Sequence, residues 1–264
     1  MYDQETILKK IRTKWAGKTV HFAKETDSTN EWIKRLSQDG APHGTLAVAE
    51  FQSAGKGRLG RSWQAQTGSS VMMSLLLRPD FEPQYASMLT LVMGISVAQA
   101  IEKLGVSVSI KWPNDVVVSR KKICGVLTEM RLDGMKIRDV IIGTGINVDQ
   151  EYIEQDLQDK ATSLYLETGK HYERTDLISL VMEAFEENYE KFIQTCDLSA
   201  ILNEYNRLLA NRDQEVRILD KKEPWEGTAL GINAQGELLV KDGEGKIQTV
   251  RAGEVSVRGL YSYV

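Results

Sequence analysis

The chain has 264 residues, 27% of them charged and 42% in the hydrophobic set, with a formal net charge of −4. That balance excludes a disordered chain and allows one large domain, or a large and a small one, around a sizeable core. A pI near 5.6 argues against a general nucleic-acid binder, which needs a basic face, and two cysteines with three histidines support neither a disulfide framework nor a zinc-ligand spacing.

No apolar run reaches the roughly 18 residues of a membrane helix, and the opening MYDQETILKK lacks a signal-peptide core. The expectation is a cytoplasmic protein with neither nucleic acid nor membrane among its partners. Residues 1–17 read as an amphipathic helix, with Ile7, Ile11 and Trp15 at i+4 spacing. A strand over TVHFAKE follows, then a helix opened by DSTNE, where Ser28 and Glu31 have capping-box spacing. Thr45–Phe51 and Ser70–Arg78 read as strands, and Ser87–Leu104 as an apolar helix ended by Gly105. VSVSIKW alternates into Pro113. VVV, a turn at SRKK and KICGVLTEM read as a hairpin, and IRDVIIGTGINV as one more strand, with glycines near its end. A long helix over 174–194 places Ile178, Val181, Phe185, Tyr189 and Phe192 on one side. Composition changes near Asn211, where short β segments punctuated by Gly and Asn suggest a small separate barrel. The division expected is 1–211 and 212–264. Nothing ahead of the first strand reads as a helix-turn-helix.

Two stretches concentrate chemistry. AGKGRLGRSW, Ala54 to Trp63, places Lys56, Arg58 and Arg61 among Gly55, Gly57 and Gly60. The glycines fit G-x-G-x-x-G, but a dinucleotide turn must run straight into a helix, and RSWQAQTGSS has no helical periodicity. What remains is a mobile glycine-rich loop folding over an anion, against a plain solvated loop. KWPND, Lys111 to Asp115, stands at a strand end. Turn propensity explains Pro-Asn-Asp but not two lysines, Lys111 and Lys122, flanking a carboxylate on neighbouring strands. A lysine for developing negative charge and an aspartate for Mg²⁺ suit chemistry at a nucleotide phosphate. Cys124, two residues beyond Lys122, reads as a buried strand residue and not as a nucleophile.

GKGRLGRSW, KWPND, KKICG and GTGINV, with DSTNE before them and GEVSVR after, occur in the order and spacing of biotin–protein ligases. The resemblance runs from about residue 19 to residue 258. It implies an α+β fold: a mixed sheet packed by helices, of the class II aminoacyl-tRNA synthetase/biotin ligase kind, followed by an SH3-like barrel. It implies activation of biotin with ATP and Mg²⁺ to biotinyl-5′-AMP, then transfer to one lysine of the carboxyl carrier domain of acetyl-CoA or pyruvate carboxylase. Lipoate or octanoate ligation, or a non-catalytic biotin or nucleotide sensor, are the alternatives. By resemblance, Ser28 and Thr29 hydrogen-bond the ureido ring of biotin with Asn30 adjacent, Gln52, Lys56 and Gly57 belong to its pocket, and Gly125 gives close approach. Lys122 and Arg58 meet the biotin carboxylate, Arg58 also reaching the α-phosphate. Arg61, Trp63, Asn114, Asn147 and Arg258 face the nucleotide, Trp63 stacking on adenine, and Asp115 holds the metal. Lys56 stands where the family commonly has arginine, which keeps the charge but loses the planar fork. Many members carry an N-terminal DNA-binding domain and act as repressors; the first twenty residues are too few for one, so that role is expected to be absent. A homodimer is expected by analogy.

Overall fold

In a computed structural model the fold is described for residues 3–219, 224–251, 256–259 and 263–264. Helix α1 (Gln4–Lys10) is capped by Asp3, whose carboxylate accepts from the Thr6 N–H at 2.9 Å. It is shorter than the expected helix over 1–17, because Trp15 and its neighbours bond elsewhere. The N–H groups of Lys14, Trp15 and Ala16 donate to the Glu186 carboxylate at 2.7–3.0 Å. Strand β1 (Val20–Ala23), helix α2 (Thr29–Gln38), β2 (Leu46–Ala49) and β3 (Ser70–Leu77) follow. A 3₁₀ stretch, Pro83–Met88, leads into α3 (Leu89–Lys103). Then come β4 (Ser109–Lys111), β5 (Asp115–Val118), β6 (Lys121–Asp133) and β7 (Lys136–Asn147). The turn between β5 and β6 puts Ser119 and Arg120 at φ +50° and +64°, the geometry of a two-residue hairpin turn.

These seven strands form one mixed sheet in the order β1-β2-β3-β7-β6-β5-β4, with β1 and β2 parallel and the other pairs antiparallel. Helices α4 (Leu164–Thr168), α5 (Arg174–Thr195) and α6 (Leu202–Leu208) complete the first unit. α1, α3 and α5 cover one face of the sheet over the main core, where Leu75, Ile142, Val97, Ile178 and Phe185 are fully buried. By length and composition the helical stretch Pro83–Lys103 passes for a membrane span, a possibility the sequence reading had excluded, yet most of its apolar window is buried as core. Among the described helices α2 covers the opposite face, with Ile33 packed on Ala47, Leu76 and Ile141. That face holds the site.

The tail forms a five-stranded antiparallel sheet, order β11-β10-β9-β8-β12, from β8 (Glu215–Leu219), β9 (Trp225–Ile232), β10 (Leu238–Asp242), β11 (Ile247–Val250) and β12 (Ser256–Gly259). This is the small barrel-type unit expected from the composition. Trp112 in the KWPND turn is buried and joins the two units: its indole N–H donates to the Gly236 carbonyl at 3.0 Å.

The clamp at Glu186 makes stability pH-dependent. Burial raises the Glu186 carboxyl, but the N–H groups of Lys14, Ala16 and Trp15 outweigh it and hold the group below its ordinary 4.5. A lowered folded value means the contribution is present above the unfolded value and lost as pH falls through the folded one. Glu186→Gln is therefore expected to lower thermal stability by about 1–3 kcal/mol at neutral pH. Melting curves recorded down to about pH 3 should show the gap between parent and variant closing as the carboxylate protonates.

Candidate active site

The loop between β2 and β3 folds as a tongue. Lys56 and Ser62 form an antiparallel bridge, Gly57 N–H donates to the Arg61 carbonyl at 2.7 Å, and Trp63 N–H to the Gly55 carbonyl at 2.9 Å. Arg58–Gly60 makes a single 3₁₀ turn, with Leu59 and Gly60 at φ +57° and +73°. No helix follows Gly60, so the dinucleotide reading fails as expected. Lys56 lies 2.6 Å from Glu31 of α2, which tethers the tongue to that helix. Glu31 is thereby used as an ion-pair partner and not in a capping box. Ser28, at the N-cap, makes no side-chain cap bond. The Thr29 N–H is taken instead by Gln52 Oε1 at 2.7 Å, which joins the helix start to the end of β2.

Under the tongue three facing positions of the sheet are glycines, with Leu127 beside them. Gly125 of β6 is the register partner of Gly145 of β7, and Gly143 lies on the same face of the strand as Gly145. The Trp63 indole lies on this floor. A Cβ at Gly145 would stand 2.5 Å from Trp63 Cε2 and one at Gly125 3.1 Å from Trp63 Cζ3, while one at Gly143 would collide with Asn30. The Trp63 indole N–H is buried without a hydrogen-bond partner.

Charged groups gather at one end of the floor. Lys122 Nζ is 2.6 Å from Asp115 Oδ1, and 5.5 Å from the Trp63 ring centroid. Arg58 Nη1 donates to Asn114 Oδ1 at 2.6 Å. Burial pushes Asp115 up, but the Lys122 ammonium, its hydrogen bond, the Tyr263 hydroxyl and Lys111 outweigh it, so the carboxylate stays below its ordinary range. Burial and Arg61 lower the Arg58 guanidinium, with Asp115 opposing; it stays charged at any working pH. Cys124 is fully buried and its thiol is pushed far up by desolvation, which leaves no thiolate to act as nucleophile.

Two connected cavities result. One, of about 50 Å³, is lined by Ser28, Thr29, Asn30, Gln52, Lys56, Gly57, Arg58, Trp63, Asn114, Lys122 and Gly125, with the Gly143–Gly145 strand as floor. The other, of about 120 Å³, shares Gly57, Arg58, Trp63, Asn114 and Lys122 and adds Arg61, Lys111, Asp115, Val257 and Tyr263. With Trp63 seated, the first has room for a few waters. One cavity is thus an apolar floor between a polar end and a cationic end; the other is strongly basic around one carboxylate.

Residues 22–147 match the Biotin/lipoate A/B protein ligase family and residues 213–258 the Biotin protein ligase C terminal domain. The bifunctional ligase/repressor BirA of Bacillus subtilis is 36% identical over 89% of this chain and 73% of its own length. The chain belongs to the biotin–protein ligase family. The biotin–[acetyl-CoA-carboxylase] ligase of Mycobacterium tuberculosis is 30% identical, over 88% of this chain and 86% of that protein. Among solved structures, the biotin protein ligase of Aquifex aeolicus in complex with biotin and ATP superposes with a TM-score of 0.80 at 34% identity, covering 92% of this chain and 99% of that one.

Within this biotin–protein ligase fold most of the residues singled out in the sequence meet in the two cavities. Two do not. Asn147 is buried at the end of β7, where its Nδ2 donates to the Thr162 carbonyl at 3.0 Å and its Oδ1 accepts from Gln150 at 2.9 Å, and it lines neither cavity. Arg258 lies on β12 in backbone register with Arg217, and its side chain lies outside the described residues. Thr29 and Asn30 do reach the cavity, but Ser74 Oγ stands 2.8 Å from Thr29 Oγ1 and 2.6 Å from Asn30 Oδ1, and Asn30 Nδ2 donates to Glu129 at 2.6 Å. Sequence reasoning missed Gly143, Gly145 and Tyr263. The alternate glycines of GTGIN carry a usable signal, since strand-interior glycine marks a close approach; Tyr263, distant in the chain, carries none.

The floor is directly testable. Gly145→Ala is expected to force Trp63 off the strand, an overpacking cost of about 1–3 kcal/mol, and to weaken biotin binding by roughly 10-fold or more. Calorimetric titration with biotin reads this, and an unchanged affinity would remove the floor from the ligand site.

Proposed function

We propose that the chain is an ATP-dependent ligase that converts biotin and ATP to biotinyl-5′-AMP and pyrophosphate, then passes biotin to one lysine of a biotin carboxyl carrier domain. The observation that carries this reading is the convergence of Lys122 and Arg58 where the two cavities join. The acid to be activated and the α-phosphate must meet at such a point. Two unit charges about 4 Å apart repel by about 4 kcal/mol even at an effective dielectric near 20. Lys122 offsets that charge on the carboxylate side, and Arg58 on both sides.

Ser28, Thr29, Asn30 and Gln52 would bind the ring end of biotin, the glycine floor its chain, and Lys122 its carboxylate, Lys56 and Gly57 closing the pocket. Arg61, Asn114 and Trp63 would hold the nucleotide, with Arg258 and Asn147 the less supported members of that set. Asp115 is a single carboxylate. That suits a Mg²⁺ ion whose remaining ligands are phosphate oxygens and water, and the ion would supply further neutralisation of the triphosphate. The tongue would then exclude water from the mixed anhydride until the acceptor amine attacks. No enzyme nucleophile is needed, in keeping with the inert Cys124.

The acceptor proposed is the carrier domain of acetyl-CoA or pyruvate carboxylase, the setting the cytoplasm, with no part played by nucleic acid or membrane. Residues 1–211 form the catalytic unit and 212–264 the SH3-like one. A homodimer through an open sheet edge belongs to the same proposal. Pyrophosphate release measured with ATP and biotin, lipoate or octanoate tests it. Release with biotin alone supports the reading; release only with lipoate or octanoate moves the chain to lipoyl ligation, and binding without release makes it a sensor.

A further inference from the structure

Asp115 has both carboxylate oxygens engaged. Oδ1 lies 2.6 Å from Lys122 Nζ and 3.0 Å from Asn114 Nδ2. Oδ2 accepts from the Tyr263 hydroxyl at 2.5 Å. Tyr263 belongs to the segment that follows β12, so this contact crosses from the second unit to the first. The same ring stacks over a second charge of the nucleotide cavity: Lys111 Nζ stands 3.4 Å from its centroid. Lys111 and Asp115 are register partners on β4 and β5, and each is at least nine-tenths buried. The segment is anchored beyond the tyrosine. Val264 is buried, and Arg120 Nη2 donates to its main-chain oxygen at 2.6 Å.

One phenol therefore touches two opposite charges, each through the part of the ring suited to it. The hydroxyl donates to the carboxylate, and the ring face, the negative end of the quadrupole, meets the ammonium. A cation–π contact stabilises an ammonium through the ring face and fixes where it stands, and Lys111 lines the nucleotide cavity. A hydroxyl donor likewise fixes one carboxylate oxygen while leaving the charge in place.

We propose that Tyr263 is a positioning residue of the nucleotide half of the site: it fixes the directions of Asp115 and Lys111, so that the second unit sets the geometry in which the triphosphate is held. This rests on the ligase reading above. It differs from a structural tether in acting on ATP and not on biotin.

The test uses the full chain with Tyr263→Phe and Tyr263→Leu. Biotin binding is measured alone by calorimetry, ATP binding by thermal shift against ATP concentration, and biotin-dependent pyrophosphate release for the KM of ATP and for kcat. Tyr263→Phe keeps the ring and is expected to raise the KM of ATP, or lower kcat, by roughly 10-fold through loss of a hydrogen bond to a charged group. Tyr263→Leu loses the ring as well and should add a further several-fold increase in KM. Biotin affinity should stay within about two-fold in both, since Tyr263 lines only the other cavity. Two variants with parental ATP parameters would overturn the proposal. So would a loss of biotin and ATP binding together, because that is what a purely structural tether gives. A parent protein that releases no pyrophosphate overturns the ligase reading and this proposal with it, whereas an active parent beside unchanged variants overturns only the role of Tyr263.

Discussion

Lys122→Gln is expected to slow formation of biotinyl-5′-AMP by about 10²–10³-fold, the usual cost of removing one preorganised charge stabiliser. Lys122 lines both cavities and is held by a carboxylate, at 2.6 Å from Asp115. It comes from β6 beside the register shift between Val116 and Val117 of the β5 partner strand. Its main-chain N–H and C=O are tied to Lys160 and Thr162, so the stem of the side chain starts from a fixed place. Removing the ammonium also leaves Asp115 buried without its ion pair, which costs about 3–5 kcal/mol when a pair is broken from one side. The double variant Asp115→Asn/Lys122→Gln separates the two effects. It should recover much of the lost thermal stability and none of the lost rate in a single-turnover measurement. A lone Lys122→Gln variant that forms adenylate at the parental rate would remove the lysine from the chemistry.

Arg58→Ala is expected to leave the fold intact and to release the adenylate roughly 10–100-fold faster, the effect of losing charge-assisted hydrogen bonds to a phosphate or carboxylate. Arg58 projects from the tongue, and its bond to Asn114 joins the tongue to the β4–β5 turn. The tongue retains its backbone bonds and the Lys56–Glu31 tether, so stability should change by under about 1 kcal/mol. Loading with labelled biotin and ATP, followed by a chase with unlabelled biotin, measures the retention time directly. An adenylate held as long as in the parent would detach the tongue from the mechanism. The pair of variants is expected to divide the reaction, Lys122→Gln slowing formation of the anhydride and Arg58→Ala shortening the time it is kept.

What the sequence revealed follows the range of the interactions. β3, a largely apolar run buried on both faces, and α5, with its apolar stripe, were legible because each pattern is local. The tongue was legible as glycine and cation without carboxylate, and KWPND as a turn with surplus charge. The capping box at Ser28 was misread because Gln52, 23 residues beyond Thr29, supplies the acceptor. The first helix was overextended because Glu186 draws off the backbone of Lys14–Ala16 across some 170 residues. Composition placed the small β unit but could not tell that its last residues return to Asp115. Asn147 has the motif context of a ligand contact and here hydrogen-bonds Thr162 and Gln150, since a strand-end amide fits either task. Individual roles at the site came from the resemblance alone, because an anion-binding loop has the same composition whatever the anion.

The bare strand under Trp63 bears on selectivity. With glycine at both 143 and 145 on the face toward Trp63, no side chain of that face of the strand stands there to grip one methylene more firmly than the next, so recognition is expected at the two ends. One end is the amide and hydroxyl cluster of Ser28, Asn30 and Gln52; the other is the cation pair Lys122 and Arg58. The fixed span between them is expected to act as a ruler: an acid whose tether is a carbon too long or too short would satisfy the head or the tail, but not both at once.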